Sequence, residues 1–124
     1  NEAQKEIYLQ QSSTLQNRSM FLSVPRNSDA AAIFIRNDPV KNHQEIQALV
    51  KDGFLVRTRA DADLSATTQS LREQRDAAFS SGAQFISSDF YSQSPQSIHR
   101  GYSVTFENDH MKRFNPVRHQ SSIN

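Results

Sequence analysis

Twice in this chain a helical stretch ends on a glycine, and a short run rich in apolar residues follows at once. Lys51-Asp52-Gly53 leads into Phe54-Leu-Val-Arg-Thr-Arg-Ala60, and Ser80-Ser81-Gly82 leads into Ala83-Gln-Phe-Ile-Ser-Ser88. Glycine takes the positive φ that closes a helix without a Cβ penalty. A helix closed in this way and feeding a strand is half of a β-α-β crossover. Two of them in succession predict right-handed crossovers and a parallel sheet of the α/β class.

The other elements are placed around this pair. Residues 2–15 read as a helix, with Ala3, Ile7 and either Tyr8 or Leu9 facing inward, closed by Asn17-Arg18. Ser19-Met-Phe-Leu-Ser-Val24 reads as a buried strand that stops at Pro25, and 25–28 as a turn. Ser28-Asp29 followed by three alanines is a helix start, whereas Ile33 and Ile35 around Phe34 suit a strand, so both readings stand for this segment. Asn37-Asp38-Pro39 ends it. Val40–Lys51 is predicted helical with Ile46, Leu49 and Val50 on one face, and Leu64–Ser81 with Leu71, Ala78 and Phe79 pointing together. Residues 92–97 read as a loop, 102–106 as an edge strand, and 120–124 as a frayed tail after a single domain over 1–119.

Only three parallel strands fit, near 19–24, 54–59 and 84–88, with the last two adjacent. Such a sheet leaves two edges open and one face poorly covered, which parallel sheets rarely tolerate. The pattern asks for a partner over an apolar seam of Phe21, Val24, Leu55 and Phe85. Composition agrees, since 35% hydrophobic residues over 124 positions is thin for a self-sufficient core. Lys and Arg total 14 against 13 Asp and Glu, a net charge of +1 that gives no long-range reason to expect nucleic acid or an anionic membrane. With no cysteine, the chain has no disulfide, thiolate metal site or cysteine nucleophile. The longest apolar run, Ala30–Ile35, is far too short to span a bilayer. The polar start at Asn1, without Met or an apolar leader, predicts a chain beginning after processing or within a longer protein. Asn17-Arg18-Ser19 forms a glycosylation triplet of the kind that arises often by chance.

The informative segment is Phe54-Leu-Val-Arg-Thr-Arg-Ala-Asp-Ala-Asp63. Strand alternation puts Leu55, Arg57, Arg59 and Asp61 on one face and Phe54, Val56, Thr58 and Ala60 on the other. Charges on a covered strand must be paired. Either this is a strand with one solvated face or an internal ion-pair ladder, or its C-terminal end points charge into a barrel mouth. The next strand also ends on polar groups, Ser87, Ser88 and Asp89. Ser87-Ser88-Asp89 is not a nucleophile elbow, and Asp61, Asp63 and Asp89 offer hard oxygen ligands without the spacing of an EF-hand. His43, His99, His110 and His119 are scattered over helix, loop and tail, with no metal-ligand spacing, and read as exposed bystanders.

Together, Val56-Arg-Thr-Arg-Ala-Asp-Ala-Asp63, Arg75-Asp-Ala-Ala78 and Ser81-Gly-Ala-Gln-Phe-Ile-Ser-Ser-Asp-Phe90 resemble the last two strand units of the bacterial-type, calcium-dependent phosphoinositide-specific phospholipase C family. The resemblance runs upstream to Tyr8, Arg18-Ser-Met-Phe-Leu-Ser-Val24, Asp29-Ala-Ala31 and Asn37-Asp38-Pro39, and downstream to Gly101-Tyr-Ser-Val104 and Asn115-Pro116-Val117. Three positions depart from the family pattern. Ser87-Ser88-Asp89-Phe90 stands where Ser-Thr-Asp-Tyr is usual, and Phe114 stands where a cysteine precedes Asn-Pro.

The resemblance implies the C-terminal part, about three β/α units, of a phosphodiesterase TIM (β/α)₈ barrel that cleaves phosphatidylinositol with calcium and a pair of histidines. One histidine takes the proton of the inositol 2-hydroxyl and the other protonates the leaving diacylglycerol. In the family those histidines and most calcium ligands lie in the N-terminal half of the barrel, so the expected partners are that half, as a further segment or a separate chain, and an inositol phospholipid. The expected site residues are Asp89 and Arg59 as catalytic groups, with Arg57 and Asp61 contacting substrate. The two arginines hold phosphate or inositol hydroxyls and Asp89 orients a histidine. This chain alone is then expected to be inactive, and a secreted or periplasmic setting is favoured. A glycerophosphodiester phosphodiesterase barrel and a non-catalytic half-barrel are the alternatives.

Overall fold

A computed structural model of the chain describes residues 2–10, 27–28, 31–61, 63 and 65–118. It divides into two compact units, 1–34 and 35–124. In the first, α1 (Glu2–Leu9) is built from strong helix formers and ends in a turn at Gln10. Ala3 and Ile7 on it are exposed and Leu9 is half-buried, so the predicted inward face is not formed by Ala3 and Ile7. Residues 11–15 of the predicted helix, the predicted strand at 19–24 and the tail at 120–124 lie outside the described residues.

Among the described residues the sheet has three strands, in the order β1 (Ile33–Ile35), β2 (Leu55–Arg59), β3 (Phe85–Ser87). Of the two readings for the segment after Ser28, the strand holds over 33–35. Phe34 is buried between exposed Ile33 and Ile35, the alternation of a pleated strand. β2 and β3 pair in parallel, Arg57 opposite Phe85, Thr58 opposite Ile86 and Arg59 opposite Ser87. The ladder is extended at its start by a side chain. Gln84 accepts the Val56 N–H through Oε1 at 2.9 Å and donates from Nε2 to the Phe54 carbonyl at 3.1 Å, standing in for a peptide group.

The helices α2 (His43–Lys51), α3 (Thr68–Ser81) and α4 (Pro95–Arg100) complete the unit with a 3₁₀ turn at Glu107–Asp109. Two helices start later than the apolar pattern predicts, each because a carboxylate holds the preceding turn. Asp38 takes the Lys41 N–H at 2.9 Å and its carbonyl the Asn42 N–H, delaying α2 from Val40 to His43. Asp63 takes both the N–H and the hydroxyl of Ser65, so α3 begins at Thr68 under a Thr67 cap. Residues 92–97, expected as a loop, open α4 instead. Ser94 caps it by accepting the Ser97 N–H, Pro95 occupies its first turn and Gly101 closes it at φ 58°. Residues 102–106 are not a strand. Val104 N–H reaches the Phe90 carbonyl, but Phe106 N–H turns to His110, and one bond makes no ladder.

Val56 and Thr58 are fully buried on the sheet face that meets α2 and α3, where Ile46, Leu49, Val50, Leu71 and Ala78 pack. Leu71, Phe90 and Tyr102 form a further cluster, with the Phe90 and Tyr102 rings edge to face at 5.4 Å. Among the described residues the opposite sheet face is the more open one. Ile35 is 59% and Phe85 53% exposed there, and Leu55, Arg57 and Arg59 are partly exposed. Beneath α3, Gly82 turns at φ 79° against Val117, whose Cγ2 would lie 2.4 Å from an added Cβ. Asn115 fixes that turn by donating to the Gly82 carbonyl at 2.7 Å and accepting the N–H groups of Val117 and Arg118. No helix among the described residues is long and apolar enough to cross a membrane.

Candidate functional site

The polar end of the open face lies where β2 and β3 finish. Because Arg57 and Arg59 are two residues apart on one strand, both guanidinium groups stand on the same side of the sheet. Arg57 donates from Nη1 to Asn37 Oδ1 at 2.9 Å and from Nη2 to Ser87 Oγ at 2.8 Å. Its partners are thus neutral oxygens at the ends of the neighbouring segments. In the sequence Asn37-Asp38-Pro39 reads first as the end of an element and secondarily as a segment reaching the barrel mouth, and the structure brings Asn37 to Arg57. Its position just after β1, matching that of the polar groups after β2 and β3, is the signal for the second reading.

Arg59 is held by carboxylates. Its Nε donates to the Asp61 carbonyl at 2.8 Å, and its Nη2 donates to Asp89 Oδ2 at 2.9 Å and lies 3.5 Å from Asp61 Oδ1. The side chains of Arg59 and Asp89 are 32% and 51% exposed, whereas Asp61 is 1% exposed. β2 ends at Arg59, but Asp61 stays beside the Arg59 guanidinium. Ala60 bends the chain and Asp61 turns inward, where both its oxygens accept the Asp89 N–H at 3.2 Å. Among the described residues, Nη1 of Arg59 and Oδ1 of Asp89 have no hydrogen-bond partner, so the pair keeps one donor and one acceptor for something else.

Asp63 turns away into its own turn with Ser65, whose hydroxyl and N–H hold its carboxyl below the usual carboxylate range. His43 bonds Ser80 across α2 and α3 at 3.0 Å, and His99 and His110 are exposed on α4 and the following loop. His119 lies outside the described residues. None of the three described histidines approaches Arg59 or Asp89 through a hydrogen bond.

Calcium needs six to eight oxygen ligands. Among the described residues no three His, Asp or Glu side chains gather into a group that could hold a metal ion. The carboxylates at the strand ends are already committed to Arg59 and to the Asp89 N–H. The described residues do not by themselves make up a calcium site. A cavity of about 250 Å³ lies elsewhere, between Phe79, Ile86, Phe106 and the 110–116 loop. Arg113 lines its wall, stacked on Phe79 and Phe106 and bonded to the Phe79 carbonyl, and Gln84, Thr105, His110 and Asn115 line it as well.

A parallel α/β sheet with paired cations and carboxylates at its strand ends is the arrangement in which α/β enzymes place their chemistry. The model of one family, "Phosphoinositide phospholipase C, Ca2+-dependent", matches residues 1–116 of this chain. The chain therefore belongs to the calcium-dependent phosphoinositide phospholipase C family. Comparison with curated proteins and with solved structures finds no match to either.

Proposed function

We propose that this chain is the C-terminal portion of a (β/α)₈ phosphodiesterase barrel that cleaves inositol phospholipids, and that the rest of the barrel, as a further segment or another chain, is its partner. One observation carries the reading. Arg59 stands on the more open face of the sheet, at the C-terminal ends of two parallel strands, with Nη1 unpaired among the described residues and Asp89 beside it. Barrel enzymes act at that end of their strands. Arg59 and Arg57 hold the phosphate or the inositol hydroxyls, a task suited to planar, permanently charged guanidinium groups. The unpaired Oδ1 of Asp89 takes the N–H of a histidine carried by the remainder of the barrel. Calcium, on which the family is described as dependent, is bound mostly by residues of that remainder. Exposed Ile35 and Phe85 support the same view, since in a closed barrel they would be interior side chains.

The test is turnover of phosphatidylinositol by purified 1–124, alone and mixed with an N-terminal half-barrel. Activity only in the mixture, dependent on calcium and lost in Arg59→Ala, is the expected result. Turnover by 1–124 alone, with contaminating enzyme excluded, overturns it. Cleavage of glycerophosphodiesters in preference to phosphatidylinositol would move the substrate class to that related barrel, and a stable but inactive assembly would make this a binding module.

A further inference from the structure

Asp61 is the least exposed charged group at the strand ends, at 1%, and it contacts both groups proposed for chemistry. Its two oxygens bracket the Asp89 N–H at 3.2 Å, its carboxylate lies 3.5 Å from Arg59 Nη2, and its carbonyl takes Arg59 Nε at 2.8 Å. At 1% exposure this carboxylate has almost no surface to offer a substrate hydroxyl. It can fix where its neighbours stand. Arg59 is a long side chain with several rotatable bonds, and without a fixed point behind it the guanidinium would sample many positions. The Asp89 N–H bond does the same for the loop that carries the Asp89 carboxylate.

We propose that Asp61 is a positioning residue, not a substrate ligand: it sets the Arg59 guanidinium and the Asp89 main chain in the geometry that meets the phosphodiester. The inference rests on the proposed phosphodiesterase reading for the role of Arg59 but makes a separate claim about how Arg59 is held. Misplacement of a reacting or stabilising group by about 1 Å costs on the order of 100-fold in rate. Asp61→Ala in the full protein should therefore lower kcat by roughly that factor and leave KM nearly unchanged. Asp61→Asn retains an oxygen for the Asp89 N–H and should recover about tenfold of the loss.

The decisive comparison is a cycle with Arg59→Ala. If Asp61 acts through Arg59, Asp61→Ala costs little once Arg59 is gone, whereas a merely structural role gives additive losses. Rising KM at constant kcat in Asp61→Ala would make Asp61 a substrate ligand and overturn the proposal, as would additivity in the cycle. A readout without turnover separates this claim from the phosphodiesterase reading. The Arg59 Nε–H resonance should be sharp in the wild type, shift on titration with inorganic phosphate, and broaden in Asp61→Ala. An inactive wild-type protein would sink the phosphodiesterase reading alone, and an unaltered Arg59 resonance in Asp61→Ala would sink this one.

Discussion

Arg59 Nη2 donates to Asp89 Oδ2 at 2.9 Å, joining the ends of two adjacent parallel strands through a pair that is half in solvent. The exposure decides its energetics. A buried pair loses about 3–5 kcal/mol when one partner is removed, but an exposed one about 0–1 kcal/mol. Asp89→Ala should cost under about 1 kcal/mol in urea denaturation of the chain while abolishing activity in the assembled barrel. A loss above about 3 kcal/mol would mean that Asp89 is shielded.

The Gly82 turn makes a sharper stability prediction. Gly82→Ala meets both a left-handed backbone at φ 79° and a Cβ 2.4 Å from Val117 Cγ2. Gly53→Ala meets only the first, at φ 94° with open space around it. Thermal or urea melts should give a loss of about 1–2 kcal/mol for Gly53→Ala and clearly more for Gly82→Ala. Adding Val117→Ala should relieve only the steric part.

Alkaline pH should weaken the fold through Tyr102. Burial pushes its phenol above the ordinary 10.0, only partly opposed by the nearby Arg75 guanidinium. A raised folded-state value means the folded chain favours the protonated ring. Its contribution is whole below about pH 10 and lost as pH rises through the folded-state value. Tyr102→Phe should flatten that decline, at a cost of about 1 kcal/mol for the hydroxyl's bond to the Leu71 carbonyl. Equal slopes above pH 10 in both proteins would rule the phenol out.

The open face should be adhesive. With Ile35 at 59% and Phe85 at 53% exposure, the chain alone should self-associate at high concentration, and Ile35→Ser with Phe85→Ser should reduce that without lowering stability by more than about 0.5 kcal/mol. Sedimentation of both proteins, alone and with a half-barrel partner, checks this. The double variant should also lose affinity for the partner.

The sheet was legible where local signals agreed. Gly53 and Gly82 marked two helix ends, and the apolar alternation after each placed β2 and β3 with their correct parallel pairing. The turns were less so, because Asp38 and Asp63 delay their helices with side-chain bonds that compete with an apolar periodicity, and Ser94-Pro95 starts a helix within a stretch that is polar throughout. Arg59 pairs with Asp89 and lies 3.5 Å from Asp61, in keeping with the face that alternation gave Arg59 and Asp61. The burial of Asp61 was not legible, because period-two reasoning stops at Arg59, where the strand ends. Asn37 needed the neighbouring segment's position, which no local pattern supplies.

Gln84 has a consequence beyond two hydrogen bonds. A parallel strand of three residues, such as Phe85–Ser87, offers little to oppose sliding by one residue along its neighbour, and such a slide turns every side chain to the other face. The Gln84 amide has a donor and an acceptor in fixed order and meets the Phe54 carbonyl and Val56 N–H in only one offset. It works as a key cut for one lock position. Which face of the sheet carries Ser87 beside Arg57 and Arg59 is thus decided at the far end of the strand, by an uncharged residue with no part in the chemistry.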